Sequence, residues 1–235
     1  MYLNAFHTTQ NNVIQITAEQ GSRFAKEVSD DFNPLHNPDS KRFCVPGDLL
    51  FALTLAYLGL SKNMVFNYTG MVGKGVELVI PQTNEDSFTI LDTNEKPYLN
   101  VKREGDITNN IELIEGFSRA YVAFSGHSFP HILVPLMQQH NVMINPERPM
   151  VIYESMAFEF ERLDITTPTL KLADSSLNVV GKRGTVRIEF AIMDGQEQVG
   201  SGYKTMVLSG LREYNQEQVN GLIELYESSK TNYTT

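Results

Sequence analysis

The longest apolar block of the chain lies between Leu49 and Leu60. Leu49, Leu50, Phe51, Ala52, Leu53, Leu55, Ala56, Leu58 and Leu60 leave almost no polar face. A helix with no polar face must be covered on most sides. Pro46 and Gly47 stand before the block and Gly59 near its end, which predicts a buried helix over about 46–60. A second pattern, over Thr17–Asp30, is amphipathic. Phe24, Ala25 and Val28 share a face, and Thr17 and Gln20 have the spacing of a capping box. Between the two helices Pro34 and Pro38 enforce an irregular loop.

The remaining apolar residues mostly alternate with polar ones, as half-buried strands require. Such segments are Val13–Thr17, Met64–Tyr68, Lys74–Ile80, Ser87–Asp92 and Tyr98–Arg103 in the first half. In the second half they are Met150–Phe160, Thr169–Ala173, Ser176–Val180, Thr185–Met193 and Gly202–Ser209, with an Asp194-Gly195 hairpin signal between the last two. Ile111–Tyr121 fits both periods and is read as strand after Ser118. Phe129–His140 is a second apolar helix candidate, kinked or shortened by Pro135. Asn215–Ser229 forms an amphipathic helix with Val219, Leu222, Ile223 and Tyr226 on one face, and Lys230–Thr235 an irregular tail.

Tyr68, Met71 and Leu78 recur at the same spacing as Tyr153, Met156 and Leu163. Each set follows a helix candidate and precedes strands, so the pattern predicts an internal repeat. The expected fold is α+β: two antiparallel sheets, each wrapped around a central apolar helix, a double hotdog. The expected halves are residues 1–125 and 126–235, the second ending in the C-terminal helix.

Composition narrows the function. A chain of 235 residues with 41% hydrophobic residues can bury a full core. Its net charge of −9 argues against nucleic acid as a partner. The single cysteine, Cys44, excludes an internal disulfide, fits a reducing cytoplasm and has no metal-ligand spacing around it. It reads as a small buried thiol. The N-terminus lacks the features of a signal peptide. The Leu49–Leu60 block falls short of the ~20 residues a membrane span needs. A soluble cytoplasmic protein is expected.

The chemistry gathers around the proline loop. Asp31 and His36 flank a stiff Asn33-Pro34 step, and Gly47 opens the buried helix, where free backbone N–H groups point outward. A carboxylate, an imidazole and a helix start are the parts needed to move a proton beside a carbonyl. Asp31-Phe32-Asn33-Pro34-Leu35-His36 resembles the D-x-N-P-[ILV]-H motif of MaoC-like (R)-specific enoyl-CoA hydratases. The whole chain also resembles a small bacterial family of uncharacterised proteins. The hydratase resemblance implies hydration or dehydration of a 2-enoyl or 3-hydroxyacyl thioester. It makes Asp31 and His36 the groups that activate water, and the Gly47 N–H the donor to the thioester oxygen. It places Asn33 at the substrate side, although its chemistry suits bracing the loop. It implies acyl-CoA or acyl-carrier protein as substrate with no cofactor or metal, and a pseudo-dimeric monomer or a homodimer.

The chain departs from that motif. Asp30 stands where the motif usually has glycine, and Pro46 and Asp48 flank Gly47. These departures keep two alternatives open, a non-catalytic acyl-thioester-binding or regulatory protein and a thioesterase. Ser125-Gly126-His127-Ser128-Phe129-Pro130-His131 faintly resembles the G-H-F-P motif of 3-hydroxyacyl-carrier-protein dehydratases, with Ser128 inserted. No acid follows in Ile132–Gln139, so this segment reads as structural, with His127 or His131 at most lining a shared pocket. Lys41 and Arg42 read as a solvated basic pair. Gly70–Gly75 lacks phosphate-loop spacing, and Gly181–Gly184 is a hairpin turn.

Overall fold

In the computed structural model, which describes residues 1–233, the apolar block forms a helix as its pattern requires. The chain opens with a short 3-10 turn and two short strands, β1 (Thr8–Gln10) and β2 (Val13–Gln15), and enters α1 (Ala18–Glu27). Thr17 caps α1 through the reciprocal bonds with Gln20 that their spacing predicts. A 3-10 turn at Pro34–His36 leads to α2 (Gly47–Leu58). Strands β3 (Leu60–Tyr68), β4 (Glu77–Val79), β5 (Ser87–Asp92) and β6 (Pro97–Thr108) follow. Helices α3 (Ile111–Gly126) and α4 (Leu133–Gln139) then lead through β7 (Val142–Met143) to β8 (Val151–Phe160), β9 (Pro168–Val180), β10 (Arg183–Asp194) and β11 (Glu197–Ser209). The chain closes with β12 (Arg212–Glu213) and α5 (Gln216–Thr231).

The architecture is α+β. Ten strands form one antiparallel sheet in the order β1-β2-β4-β5-β6-β3-β8-β11-β10-β9, and β7 pairs with β12 apart from it. The two sets of strands legible in the sequence meet at β3 and β8, in register from Asn63 opposite Glu159 to Asn67 opposite Ser155. They continue there as a single sheet.

Every residue of α2 from Asp48 to Leu55 is buried. Phe51 is its centre, ringed by Phe66, Phe117, Tyr121 and Phe158 at centroid distances of 4.6–6.4 Å. Burying one such side chain contributes about 1.5–3 kcal/mol. Thr54, polar in this setting, donates its hydroxyl to the Leu50 carbonyl one turn back at 2.8 Å. A smaller core lies elsewhere, where Leu133, Leu136 and Met137 of α4 meet Val186, Ile188, Met206 and Val219.

Two expectations are corrected. Ile111–Tyr121 does not turn to strand after Ser118; it is part of α3. Asn110 caps that helix by accepting the Glu112 and Leu113 N–H groups. Leu113, Ile114, Phe117, Ser118, Tyr121, Val122 and Ser125 recur at helical spacing on its buried face, and that period outweighs the strand preference of its aromatics. Phe129–His140 is helical only over Leu133–Gln139. Pro135 falls in the first turn, where a missing N–H costs no helical bond. Thus α3, not α4, is the helix packed against α2. Two smaller differences follow. Thr169–Ala173 and Ser176–Val180 belong to the single strand β9, and Lys230 and Thr231 extend α5 where an irregular tail was expected. Residues 234–235 lie outside the described residues. Among the described residues no helix is long and apolar enough to cross a membrane.

Candidate functional site

The motif loop is held by its own backbone. The Asp31 N–H donates to the Ala25 carbonyl at 2.8 Å, tying the loop to the end of α1. Asp31 Oδ1 accepts the Asn33 N–H at 2.9 Å, and Asn33 Oδ1 accepts the Leu35 N–H at 3.1 Å. These consecutive Asx turns are what short polar side chains around a proline are suited to form. His36 Nδ1 lies 2.7 Å from the Cys44 carbonyl, which can only accept, so Nδ1 carries the proton. Nε2 then offers its lone pair, 3.6 Å from Asp31 Oδ2. That gap is too long for a direct hydrogen bond and short enough for one water to touch both groups. The His36 side chain is 12% exposed and that of Asp31 27%.

Both residues line a cavity of about 570 Å³, together with Asn33, Gly47, Leu50, Val72, Met206, Leu222 and Tyr226. The sequence-predicted residues Asp31, His36, Gly47 and Asn33 are therefore brought to one cavity. Gly47 is the first residue of α2, and among the described residues its N–H has no partner. A Cβ there would stand 2.8 Å from the Tyr153 ring and 3.2 Å from the Tyr68 ring. Those rings stack at 4.6 Å, and the Tyr68 hydroxyl donates to the Gly47 carbonyl at 2.9 Å. Only glycine lets the helix start meet both tyrosines.

A second group of cavity residues was not legible as a site. Lys204 on β11 is 3% exposed, and its ammonium donates to Ser125 O at 3.1 Å, Ser125 Oγ at 2.7 Å and Ser128 Oγ at 3.1 Å. Those bonds use all three of its N–H groups. It also stands 5.1 Å from the centre of the Tyr153 ring. Asp48 is 7% exposed, and its Oδ1 has no hydrogen-bond partner among the described residues. Burial pushes the Asp48 carboxyl up to about 6, against the opposing pull of the Lys204 charge. Burial likewise pulls Lys204 below its ordinary value, against Asp48 and Asp31. The Tyr121 and Tyr153 hydroxyls bond to each other nearby, and burial raises Tyr121 well above the usual phenol range. One signal could have found this group. Lys204 alternates with Met206 and Leu208, a lysine on the inward face of a strand.

Other candidates stand elsewhere. His127 pairs with Asp30 at 3.2 Å, and neither it nor His131 lines the cavity, although Ser125, Gly126 and Ser128 from the same segment do. Burial pushes the Cys44 thiol up to about 11, away from the thiolate a nucleophile needs. Lys41 and Arg42 are exposed and off the cavity. Among the described residues no group of three or more His, Cys, Asp or Glu is placed to hold a metal.

No curated protein matches the sequence. Solved structures with some likeness include a hot dog fold protein of unknown function from Alicyclobacillus acidocaldarius, at 10% identity, 88% of this chain, 97% of that one and a TM-score of 0.46. Another is full-length peroxisomal multifunctional enzyme type 2 from Drosophila melanogaster, at 11% identity, 83% of this chain, 47% of that one and a TM-score of 0.44. The chain thus spans about half the length of the Drosophila enzyme. A MaoC-like dehydratase is similar at 9% identity, 87% of this chain, 98% of that one and a TM-score of 0.42. Likeness at these levels adds nothing to the geometry above. The match to a sequence family is far more extensive: the family described as "Protein of unknown function (DUF3581)" is matched over residues 1–217, and the chain belongs to it.

Proposed function

We propose that the cavity receives an acyl thioester, and that Asp31 and His36 add water to a 2-enoyl thioester or remove it from a 3-hydroxyacyl thioester. The observation that carries this reading is the disposition of one pair. His36 Nε2 and Asp31 Oδ2 lie 3.6 Å apart at the edge of an apolar cavity that the start of α2 also lines. A water held between them loses a proton to the pair as its oxygen bonds to C3. The electron pair of the C2–C3 double bond moves toward the thioester, whose oxygen gains charge. The Gly47 N–H at the start of α2 is the donor for that oxygen. C2 then takes a proton and the pair returns to its starting state. Asn33 braces the loop, its Oδ1 being committed to the Leu35 N–H. The reaction calls for no cofactor.

The same reading gives the architecture a name. We take α2 with β3–β6, and α3 with β8–β11, as two hotdog units joined edge to edge through β3 and β8, with the boundary before Ile111 rather than after residue 125 as expected, so that the chain serves as its own pseudo-dimer. One observation favours a second reading, an acyl-thioester binder without turnover. The buried carboxylate of Asp48 follows Gly47 directly, and a negative charge there opposes a forming oxyanion.

The test is turnover of crotonyl-CoA, followed by loss of absorbance of the conjugated thioester. Wild-type protein is expected to turn over, and Asp31→Asn and His36→Gln to lose about 10²- to 10⁴-fold in kcat/KM. No turnover by wild type, or full turnover by Asp31→Asn, rejects hydration. Release of free CoA thiol in place of hydration would identify a thioesterase.

A further inference from the structure

One side of the cavity is formed by a helix that the rest of the molecule holds at few points. Leu222, Leu225 and Tyr226 of α5 line the cavity, yet along the helix only Val219 and Tyr226 are buried. Val219 seats the start of α5 in the smaller core. Tyr226 ties its later part to the motif loop. The Tyr226 hydroxyl donates to the Asp30 carbonyl at 2.9 Å, and its ring meets Phe32 and Phe129 edge-on at 5.9 and 5.3 Å. The other ties at that end, from Lys230 to Asp30 and from the Tyr233 hydroxyl to Glu27, are exposed and therefore weak. Leu225 lines the cavity and is also 68% exposed, so the cavity opens to solvent alongside α5.

Gly221 stands between these two anchors. A Cβ there would meet no atom within 4 Å, so packing does not call for glycine. Inside a helix glycine is less favourable than alanine, because it gains more freedom when the helix opens. Gly221 therefore makes α5 easiest to bend just past the point where Val219 holds it. Beyond the bend, opening breaks the Tyr226 contacts and the exposed ties. The bonds that set Asp31 and His36 run to Ala25, Asn33 and Cys44, so they stay in place. Elements of low local stability beside a binding cavity are the ones that act as lids.

We propose that α5 is a gate: it bends at Gly221, carries Leu225 and Tyr226 away from the cavity to admit a ligand, and returns to cover it. The gate belongs to the cavity whatever fills it. Only the choice of ligand in the test rests on the acyl-thioester reading. Gly221→Ala stiffens the bend without adding a contact, and alanine favours the straight helix over the bent one about fivefold.

The experiment compares wild type with Gly221→Ala by rapid mixing with octanoyl-CoA, a saturated thioester with no double bond to hydrate. Association and dissociation should both slow about fivefold with Kd unchanged, because the bend is disfavoured equally before and after binding. A helix that is only structural would gain stability and leave both rates alone, and that result overturns the proposal. So does a changed Kd with one rate kept, which would make position 221 a ligand contact. Cys44 gives a second measurement that needs no acyl ligand. It is the only cysteine of the chain and lines the cavity, so alkylation of its thiol by iodoacetamide should also slow about fivefold in Gly221→Ala. Equal alkylation of the two proteins overturns the gate. If octanoyl-CoA does not bind wild type while alkylation slows as expected, the acyl-thioester reading falls and the gate stands. If it binds and neither rate moves, the gate falls and that reading is kept.

Discussion

Asp31 and His36 line the same cavity as Asp48 and Lys204, and the two pairs are held by different means. The first pair is fixed by bonds that never leave residues 25–44: to Ala25, within the Asx turns, and to the Cys44 carbonyl. Both of its members keep some contact with solvent. The second pair is assembled from the start of α2, the end of α3, the segment after it, and β11. Both of its members are out of water. A locally tied, partly solvated pair can be positioned without much electrostatic cost. A pair drawn from distant elements into the core depends on the whole fold and taxes its stability.

The sharpest way to break that contrast is Lys204→Met. It leaves Asp48 without its compensating charge and strips the donor from three buried serine oxygens. Removing one partner from a buried charged set costs about 3–5 kcal/mol. For a chain of this size that lowers Tm on the order of 10 °C. The double variant Asp48→Leu/Lys204→Met should regain most of the loss, because replacing both charges by apolar groups is often neutral. Thermal unfolding of the four-member cycle checks this. A double variant as unstable as the sum of the singles would show that the two charges are not coupled.

The pH dependence of stability separates the pairs next. Asp48 is raised in the folded protein to about 6 from an ordinary 3.8. The folded state therefore binds more protons than the unfolded state between those values. Stability from this group is fully present below about pH 4 and is lost as pH rises through 6. The difference amounts to about 3 kcal/mol at most. Urea unfolding from pH 4 to pH 7 should show wild type falling by that order relative to Asp48→Asn. Parallel curves would place Asp48 in a more solvated setting.

Gly47→Ala tests the start of α2, which lines the cavity beside both pairs. The added methyl would lie 2.8 Å from Tyr153, whose ring stacks on Tyr68 and whose hydroxyl is bonded to Tyr121. Neither ring can swing away freely, so overpacking should cost about 2 kcal/mol. The urea midpoint should fall, and crotonyl-CoA turnover should fall with it as the start of α2 shifts.

The contrast between the pairs is also the contrast between what the sequence discloses and what it hides. The motif loop could be read because its geometry is local: a proline, two Asx residues and a glycine-led helix lie within one short stretch. The buried helix, the capping box and most strands were legible for the same reason. The surroundings of Lys204 were not, because Ser125, Ser128 and Lys204 come together only when β11 packs beside the end of α3. Even α3 hides its period locally. Phe117, Tyr121 and Val122 suit strands individually, and only their spacing over the whole segment declares a helix. Gly126 illustrates the limit. A Cβ there would sit 1.6 Å from the Ser29 carbonyl oxygen, a close approach between α3 and the segment after α1 that neither stretch announces alone.

The smallest effect is expected at Asp30, where the chain departs from the glycine of the motif it resembles. Asp30 adopts φ of +53°, a left-handed conformation that costs a non-glycine residue about 1 kcal/mol. Its carboxylate is paired with His127 and Lys230, and its carbonyl accepts the Tyr226 hydroxyl of α5 at 2.9 Å. Asp30→Gly relieves the strained conformation and removes an exposed hydrogen bond with His127 and an exposed ion pair with Lys230, each worth about 1 kcal/mol or less. It keeps the bond from Tyr226, which uses backbone. The terms nearly cancel, so stability should stay within about 1 kcal/mol of wild type by urea unfolding. Turnover should also be kept, because the bonds that set Asp31 and His36 do not pass through the Asp30 side chain. If instead Asp30→Gly abolished turnover while leaving stability intact, the first pair would owe its geometry to α5 and to His127. Both pairs would then be assemblies of distant elements, and the distinction between them would fail at the loop where it is clearest.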